Sequence, residues 1–229
     1  MSTGFEVSRL DYSCEARYQQ PEFDLFRDAP ALASHMYTAL RGHGVTLPDL
    51  KIEQGDGNLG ELHLFCKLFD FALTVRIRLD RVDIVAVYVS TTDQADRYSA
   101  AAVDALTAIQ KVVKSGYSAY TIQVHAHGTL ADGNVKAFLA QFIAKTPAAG
   151  PTTGNGVGYY YGPSEDRLSS SIVADPSAII PGGLYVRVQG IWDAARVRVQ
   201  DLPIRTNTYV RDALAALNLD VQTSTAGAR

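Results

Sequence analysis

Two histidines lie two residues apart, at His125 and His127, in a segment where polar and apolar residues alternate. Since side chains alternate across a strand, both imidazoles are expected on one face, about 6 to 7 Å apart. That spacing is compatible with metal ligation, with His63 or Asp132 as a third ligand. Histidines at this spacing also occur on water-facing strands, and no nearby cysteine or glutamate completes a recognisable site. We therefore expect no cofactor, and keep the metal site as an alternative.

Arginine and glutamine alternate with apolar residues in two other segments, which begin Leu73-Thr-Val-Arg76 and Leu184-Tyr-Val-Arg187. A guanidinium suits planar anionic groups such as phosphate and carboxylate. These segments predict a site for a small anionic ligand, whose candidate residues are Arg76, Arg78, Arg187 and Gln189. The alternative is the ordinary water-facing side of an antiparallel sheet.

Aromatic residues form the third candidate set. Exposed tyrosine and tryptophan are enriched at protein interfaces. The interface candidates are Tyr159, Tyr160, Tyr161, Tyr185 and Trp192. Core packing is the alternative for all of them, and stacking on nucleic-acid bases is a further one for Tyr185 and Trp192.

Motifs for catalysis are sparse. The glycine-rich run before Tyr161 lacks the Gly-Lys-Ser/Thr of a phosphate-binding loop, and no glycine-flanked serine forms a nucleophile elbow. The leading prediction is a non-catalytic scaffold or accessory subunit that contacts another protein, or a second copy of itself, through edge strands and tyrosines. One alternative is a sensor that binds a small anionic or aromatic ligand between two halves of the chain. A weaker alternative is a metal-assisted enzyme that uses His125 and His127.

The elements that carry these residues follow from hydrophobic periodicity. Alternation predicts a first strand over Phe5 to Tyr18, at an edge or half-buried, and antiparallel strands from Leu50 to Ser90. Asp28 and Pro30 mark the start of one helix, and Thr92 or Asp93 caps a longer one. Further strands are predicted up to Ile191, followed by a final helix.

The order strand, helix, antiparallel strands, helix occurs twice, and Arg187 follows Arg76 by 111 residues. This predicts an α+β fold of two similar units, fused into one pseudo-twofold body with helices on one face of antiparallel sheets. The predicted units are residues 1–116 and 117–220, followed by a frayed tail at 221–229. A single cooperative domain is expected, because each unit alone is small.

Composition limits the class of protein. The chain has 229 residues, of which 47% are hydrophobic and 20% are charged, and a net charge of -3. Overall disorder is excluded by the apolar content, and no apolar stretch approaches the roughly 20 residues that cross a bilayer. The N-terminus does not resemble a secretory signal, so a cytoplasmic location is expected. Slight acidity argues against a dedicated nucleic-acid binder but leaves room for a local basic face.

Overall fold

A computed structural model describes residues 2–53, 58–143 and 155–222. In these residues the chain forms ten strands and four α-helices. The strands are β1 (Thr3–Tyr18), β2 (Leu50–Glu53), β3 (His63–Leu68), β4 (Leu73–Ile77), β5 (Arg81–Ala86), β6 (Tyr117–Leu130), β7 (Val157–Tyr161), β8 (Arg167–Pro176), β9 (Leu184–Asp193) and β10 (Leu219–Gln222). The helices are α1 (Ala29–Leu40), α2 (Thr92–Gln110), α3 (Val135–Ala140) and α4 (Leu202–Ala216).

All ten strands belong to one sheet, in the order β2-β3-β4-β5-β1-β6-β9-β8-β7. Neighbours along this path are antiparallel, whereas β10 pairs in parallel with the start of β1. The predicted α+β class is therefore confirmed. Of the two positions predicted for the first strand, the edge is wrong, because β1 pairs with β5 on one side and with β6 on the other. Most of its residues are partly buried, in agreement with the half-buried alternative.

The helices cover one face of the sheet because every second strand residue is apolar. Along β6, Tyr120, Val124 and Ala126 are buried, whereas His125 and His127, on the alternate positions, are only partly buried. Two apolar clusters fill the covered side. One joins α1 and α2 to β3, β4 and β5, and the other joins α3 and α4 to β6, β8 and β9.

Side-chain caps set the starts of the two helices that the sequence predicted most clearly. The Asp28 carboxylate accepts from the backbone N–H of Ala31 at 3.0 Å, and Pro30 lies in the first turn of α1. For α2 the cap is Thr91, one residue before the predicted position, and its hydroxyl accepts from the Gln94 N–H at 3.2 Å. Each cap pairs a donor that the helix itself leaves free.

The pseudo-twofold duplication is not confirmed. Arg76 lies on β4, which β5 separates from β1, whereas Arg187 lies on β9, directly beside β6. The 111-residue offset therefore matches strands at different places in the sheet. The division into residues 1–116 and 117–220 stays a prediction. Of the predicted tail, Val221 and Gln222 belong to β10, and residues 223–229 lie outside the described residues.

Within the described ranges, none of the helices combines the length and apolar character needed to cross a bilayer.

Candidate functional site on the open face of the sheet

The face of the sheet opposite the helices carries the polar residues that the sequence singled out. In the described part of the chain, the apolar clusters and all four helices lie on the other face. We call this polar side the open face. Its central strands are β1, β6 and β9, which lie side by side.

Six side chains form two rows across these three strands. In one row Arg9 pairs with His127 and His127 with Tyr185, and in the next row Asp11 pairs with His125 and His125 with Arg187. Directly opposed residues have Cβ atoms roughly 5 Å apart, so the six side chains form one cluster. We call it the histidine patch: Arg9, Asp11, His125, His127, Tyr185 and Arg187.

The hydrogen bond of His127 fixes which of its ring nitrogens carries the proton. Ser177 Oγ accepts from the backbone N–H groups of Ile179 and Ile180, at 3.3 and 3.0 Å, and lies 2.9 Å from His127 Nδ1. Because both lone pairs of Oγ are engaged, its hydroxyl hydrogen is donated to Nδ1. A neutral His127 therefore carries its proton on Nε2, where it is a hydrogen-bond donor.

The side chain of His125 contacts that of Tyr185, its diagonal neighbour on β9. Its Nδ1 lies 2.8 Å from the Tyr185 hydroxyl, and the two rings are stacked with centroids 6.0 Å apart. The ring of Tyr185 also lies 4.7 Å from that of His127, centroid to centroid. Tyr185 therefore orients both imidazoles at once.

Both histidines are held neutral at pH 7. Burial lowers the pKa of His125, and the Arg187 guanidinium lowers it further. Burial and the Arg9 guanidinium lower the pKa of His127 in the same way. Asp11 acts in the opposite direction on both pKa values but does not reverse the lowering.

The two arginines of the patch differ in their partners. Arg9 Nε donates to Asp11 Oδ2 at 2.7 Å, and Asp11 Oδ1 also accepts from the Tyr88 N–H at 2.9 Å. Within the described ranges no carboxylate lies within ion-pair distance of Arg187, and its Nε is buried without an acceptor. Asp175 lies opposite Tyr185 on β8 and adds one negative charge at the rim. Arg187 is thus the cation of the patch that lacks a directly paired carboxylate.

A trough of about 570 Å³ lies over the patch. His125, His127 and Tyr185 line it, with Val85 on one side and the Asp175–Ala178 segment on the other. A volume of this size is typical of a small-ligand site.

The other predicted arginines lie elsewhere on the open face. Arg78 is bound to Asp83, with Nε to Oδ2 at 2.9 Å, so its charge is compensated. Arg76 lies on β4, four strands from Arg187, which corresponds to about 19 Å at a strand spacing of about 4.8 Å. Arg76 and Arg187 therefore do not form one cleft between two halves, and that prediction is wrong.

The aromatic candidates divide between the two faces. Trp192 is 2% exposed and packs edge-on against Tyr209 in the core, so it is not available to a partner. Tyr159 is half-buried against the cluster beneath α3 and α4. Tyr160 is 78% exposed and lies opposite Ser171 on the open face, and Tyr161 is 45% exposed.

The expected third metal ligands are not beside the histidines. His63 lies on β3, where its Nδ1 is 2.6 Å from the Glu61 carbonyl, and Asp132 lies in the turn after β6. No group of three histidine, cysteine or acidic side chains suited to a metal occurs in the described residues. The proton on His127 Nε2 also opposes ligation through that atom.

Sequence reasoning missed Arg9, Asp11 and Ser177. Alternation along β1 places Arg9 and Asp11 on one face, but it does not reveal that β1 pairs with β6. Ser177 lies in the loop between β8 and β9, and no sequence pattern marks it.

Comparison with known proteins gives one distant structural similarity. No protein-family model matches this chain, and no curated protein matches it. One similar solved structure is that of the rolling circle replication initiator protein from Geobacillus stearothermophilus. The two are 9% identical with a TM-score of 0.39, over 90% of this chain and 83% of that one.

The comparison contradicts the prediction of a non-catalytic scaffold or accessory subunit, because the matched protein is named as an initiator of replication. That prediction is not carried further. A TM-score of 0.39 at 9% identity does not assign this chain an activity.

Proposed function

We propose that the histidine patch binds a phosphate group of a nucleotide or of single-stranded nucleic acid. The observation that carries this proposal is Arg187, a guanidinium without an ion-pair partner in the described residues. It lies directly opposite His125, and the neutral imidazoles of His125 and His127 line a trough of about 570 Å³. A guanidinium presents several N–H donors to the oxygens of a phosphate. The Nε2–H of His127 supplies another donor on the same face.

The residues beside the patch suit a nucleobase. Tyr160, Ser171, Gln189 and Gln123 form one row across β7, β8, β9 and β6, next to the row that contains Arg187. An exposed tyrosine offers a stacking surface, and glutamine amides both donate and accept hydrogen bonds at base edges. A ligand with a phosphate at Arg187 and a base toward Tyr160 uses both rows.

The test is fluorescence anisotropy with a labelled single-stranded oligonucleotide of mixed sequence. Arg187→Gln is expected to weaken binding about tenfold or more, since one charged hydrogen-bonding group is lost. Arg76→Gln is the matched control, because Arg76 has the same residue type and face but lies about 19 Å away. Equal losses in the two variants, or binding that does not weaken with salt, would contradict the proposal.

Competition distinguishes the two sources of phosphate. A nucleoside monophosphate that displaces the oligonucleotide at low concentration indicates a nucleotide site. Displacement by longer single strands alone indicates that several successive nucleotides contact the open face.

Phosphoryl transfer to Tyr185 is a second candidate, favoured by its hydroxyl lying 2.8 Å from His125 Nδ1. A nucleophile within hydrogen-bond reach of a base is the required geometry. A bond from phosphorus to Tyr185 Oη would form and the bond to the leaving nucleotide oxygen would break. The phenolic proton would move to His125, and the leaving oxygen would take a proton from water.

Binding ranks above transfer because the pKa directions oppose the proton movement. Burial raises the pKa of Tyr185 and lowers that of His125. Transfer would leave a covalent adduct between protein and oligonucleotide that survives a denaturing gel, with and without added Mg²⁺ or Mn²⁺. Absence of the adduct, or its persistence in Tyr185→Phe, would exclude Tyr185 as the nucleophile.

A further inference from the structure

A second cavity lies on the opposite side of the sheet from the histidine patch. It has a volume of about 110 Å³ and lies between α2, α4 and strands β1, β4, β5 and β6. We propose that this cavity binds a small, largely apolar molecule that carries one hydrogen-bonding group.

The lining is apolar on most sides. Ala102 and Leu106 contribute from α2, Cys14 and Ile122 from the sheet, and Leu202 from the start of α4. Burial raises the pKa of the Cys14 thiol to about 12, so it stays protonated and acts as an apolar group. An apolar cavity of about 150 Å³ is known to accept benzene, and this cavity is somewhat smaller, at about 110 Å³, so its ligand is at most one small ring.

Thr206 indicates the polar part of the ligand. It lines the same cavity, is only 6% exposed, and its hydroxyl has no hydrogen-bond partner within the described ranges. A buried hydroxyl that lacks a partner is costly, because it loses its hydrogen bonds to water without replacement. A ligand hydroxyl or carbonyl beside Thr206 would supply that partner.

The position of the cavity separates this proposal from the binding of phosphate. Cys14 and Asp11 lie on the same strand, but Cys14 belongs to the helix-covered cluster and Asp11 to the open face. The two sites therefore share strands β1 and β6, but no side chain of the histidine patch lines the cavity. One proposal can fail without the other.

The experiment compares phenol with toluene, two rings of similar size that differ in one hydroxyl. Both are titrated against the full-length protein, with melting temperature and calorimetry as readouts. Phenol is expected to raise the melting temperature more than toluene at equal concentration. Thr206→Val, which keeps the side-chain shape, is expected to abolish that difference and to keep the shift caused by toluene.

A filling variant supplies the control. Ala102→Leu occupies the cavity and is expected to abolish both shifts, and Ser99→Leu serves the same purpose if Ala102→Leu fails to fold. The absence of any shift in the wild-type protein would overturn the proposal. Full preference for phenol in Thr206→Val, or unchanged binding in the filling variants, would overturn it as well.

Discussion

Arg187 on β9 lies directly opposite His125 on β6, and its guanidinium lowers the pKa of that imidazole. In the histidine patch, the arginines and neither histidine carry positive charge at pH 7. The pairing with Arg187 makes His125 a reporter for whatever occupies the patch.

Removing the Arg187 charge should raise the pKa of His125. In Arg187→Gln the burial effect remains and the repulsion between the two cations disappears, so protonation becomes easier. An NMR titration of the histidine ring protons measures this. Arg76→Gln should leave the His125 curve unchanged, and an equal rise in both variants would show that Arg187 does not act directly.

Acidification should destabilise the protein through the two histidines. Their pKa values are lowered in the folded state, so the unfolded chain binds protons first as the pH falls below the ordinary value of about 6.5. Their contribution to stability is complete above that pH and is lost as the pH falls through the folded-state values. Urea unfolding at pH 7.5 and pH 5 measures the loss. The double variant His125→Gln and His127→Gln should lose less stability over the same interval.

Ser177→Ala should allow the His127 ring proton to occupy either Nδ1 or Nε2. In the wild-type protein Ser177 Oγ accepts from two backbone N–H groups, so we assign its hydroxyl hydrogen to His127 Nδ1 and the ring proton to Nε2. Long-range ¹H–¹⁵N spectra distinguish the two nitrogens directly. A dominant Nε2–H form that becomes mixed in Ser177→Ala is the expected result, and a wild-type ring protonated at Nδ1 would refute the assignment.

Trp192→Ala should reduce the stability of the protein, whereas Tyr160→Ala should reduce oligonucleotide binding and leave stability almost unchanged. Trp192 is fully packed, so its removal should cost about 3 to 5 kcal/mol of unfolding free energy. Tyr160 is 78% exposed, so Tyr160→Ala should change stability by less than about 0.5 kcal/mol. Tyr160→Ala should also weaken oligonucleotide binding by about 1 to 3 kcal/mol if a base stacks on the Tyr160 ring. Unfolding curves and anisotropy titrations on both variants check the contrast.

Periodicity predicted most of the strands and helices, because alternation and caps are local properties of the chain. The alternation along β9 also predicts that Trp192 is buried. It lies an even number of residues from Val186 and Val188, so its side chain is on their face of the sheet and not on that of Tyr185 and Arg187. Sheet order was beyond reach, since pairing depends on contacts between distant segments. The match between Arg76 and Arg187 failed for that reason: similar strand sequences occupy different positions in the sheet.

The pairing of β1 with β6 also determines when β1 can complete its hydrogen bonds during synthesis of the chain. One edge of β1 can pair with β5 once residue 86 has been made, but the other edge waits for residues 117–130, more than 100 positions after Arg9. Arg187 arrives later still. Long-range strand pairing of this kind is slow and leaves edges open to wrong partners. A nascent or truncated chain that stops before β9 contains Arg9 and both histidines but lacks Tyr185 and Arg187, so ligand binding at the patch reports that the chain has been made through β9.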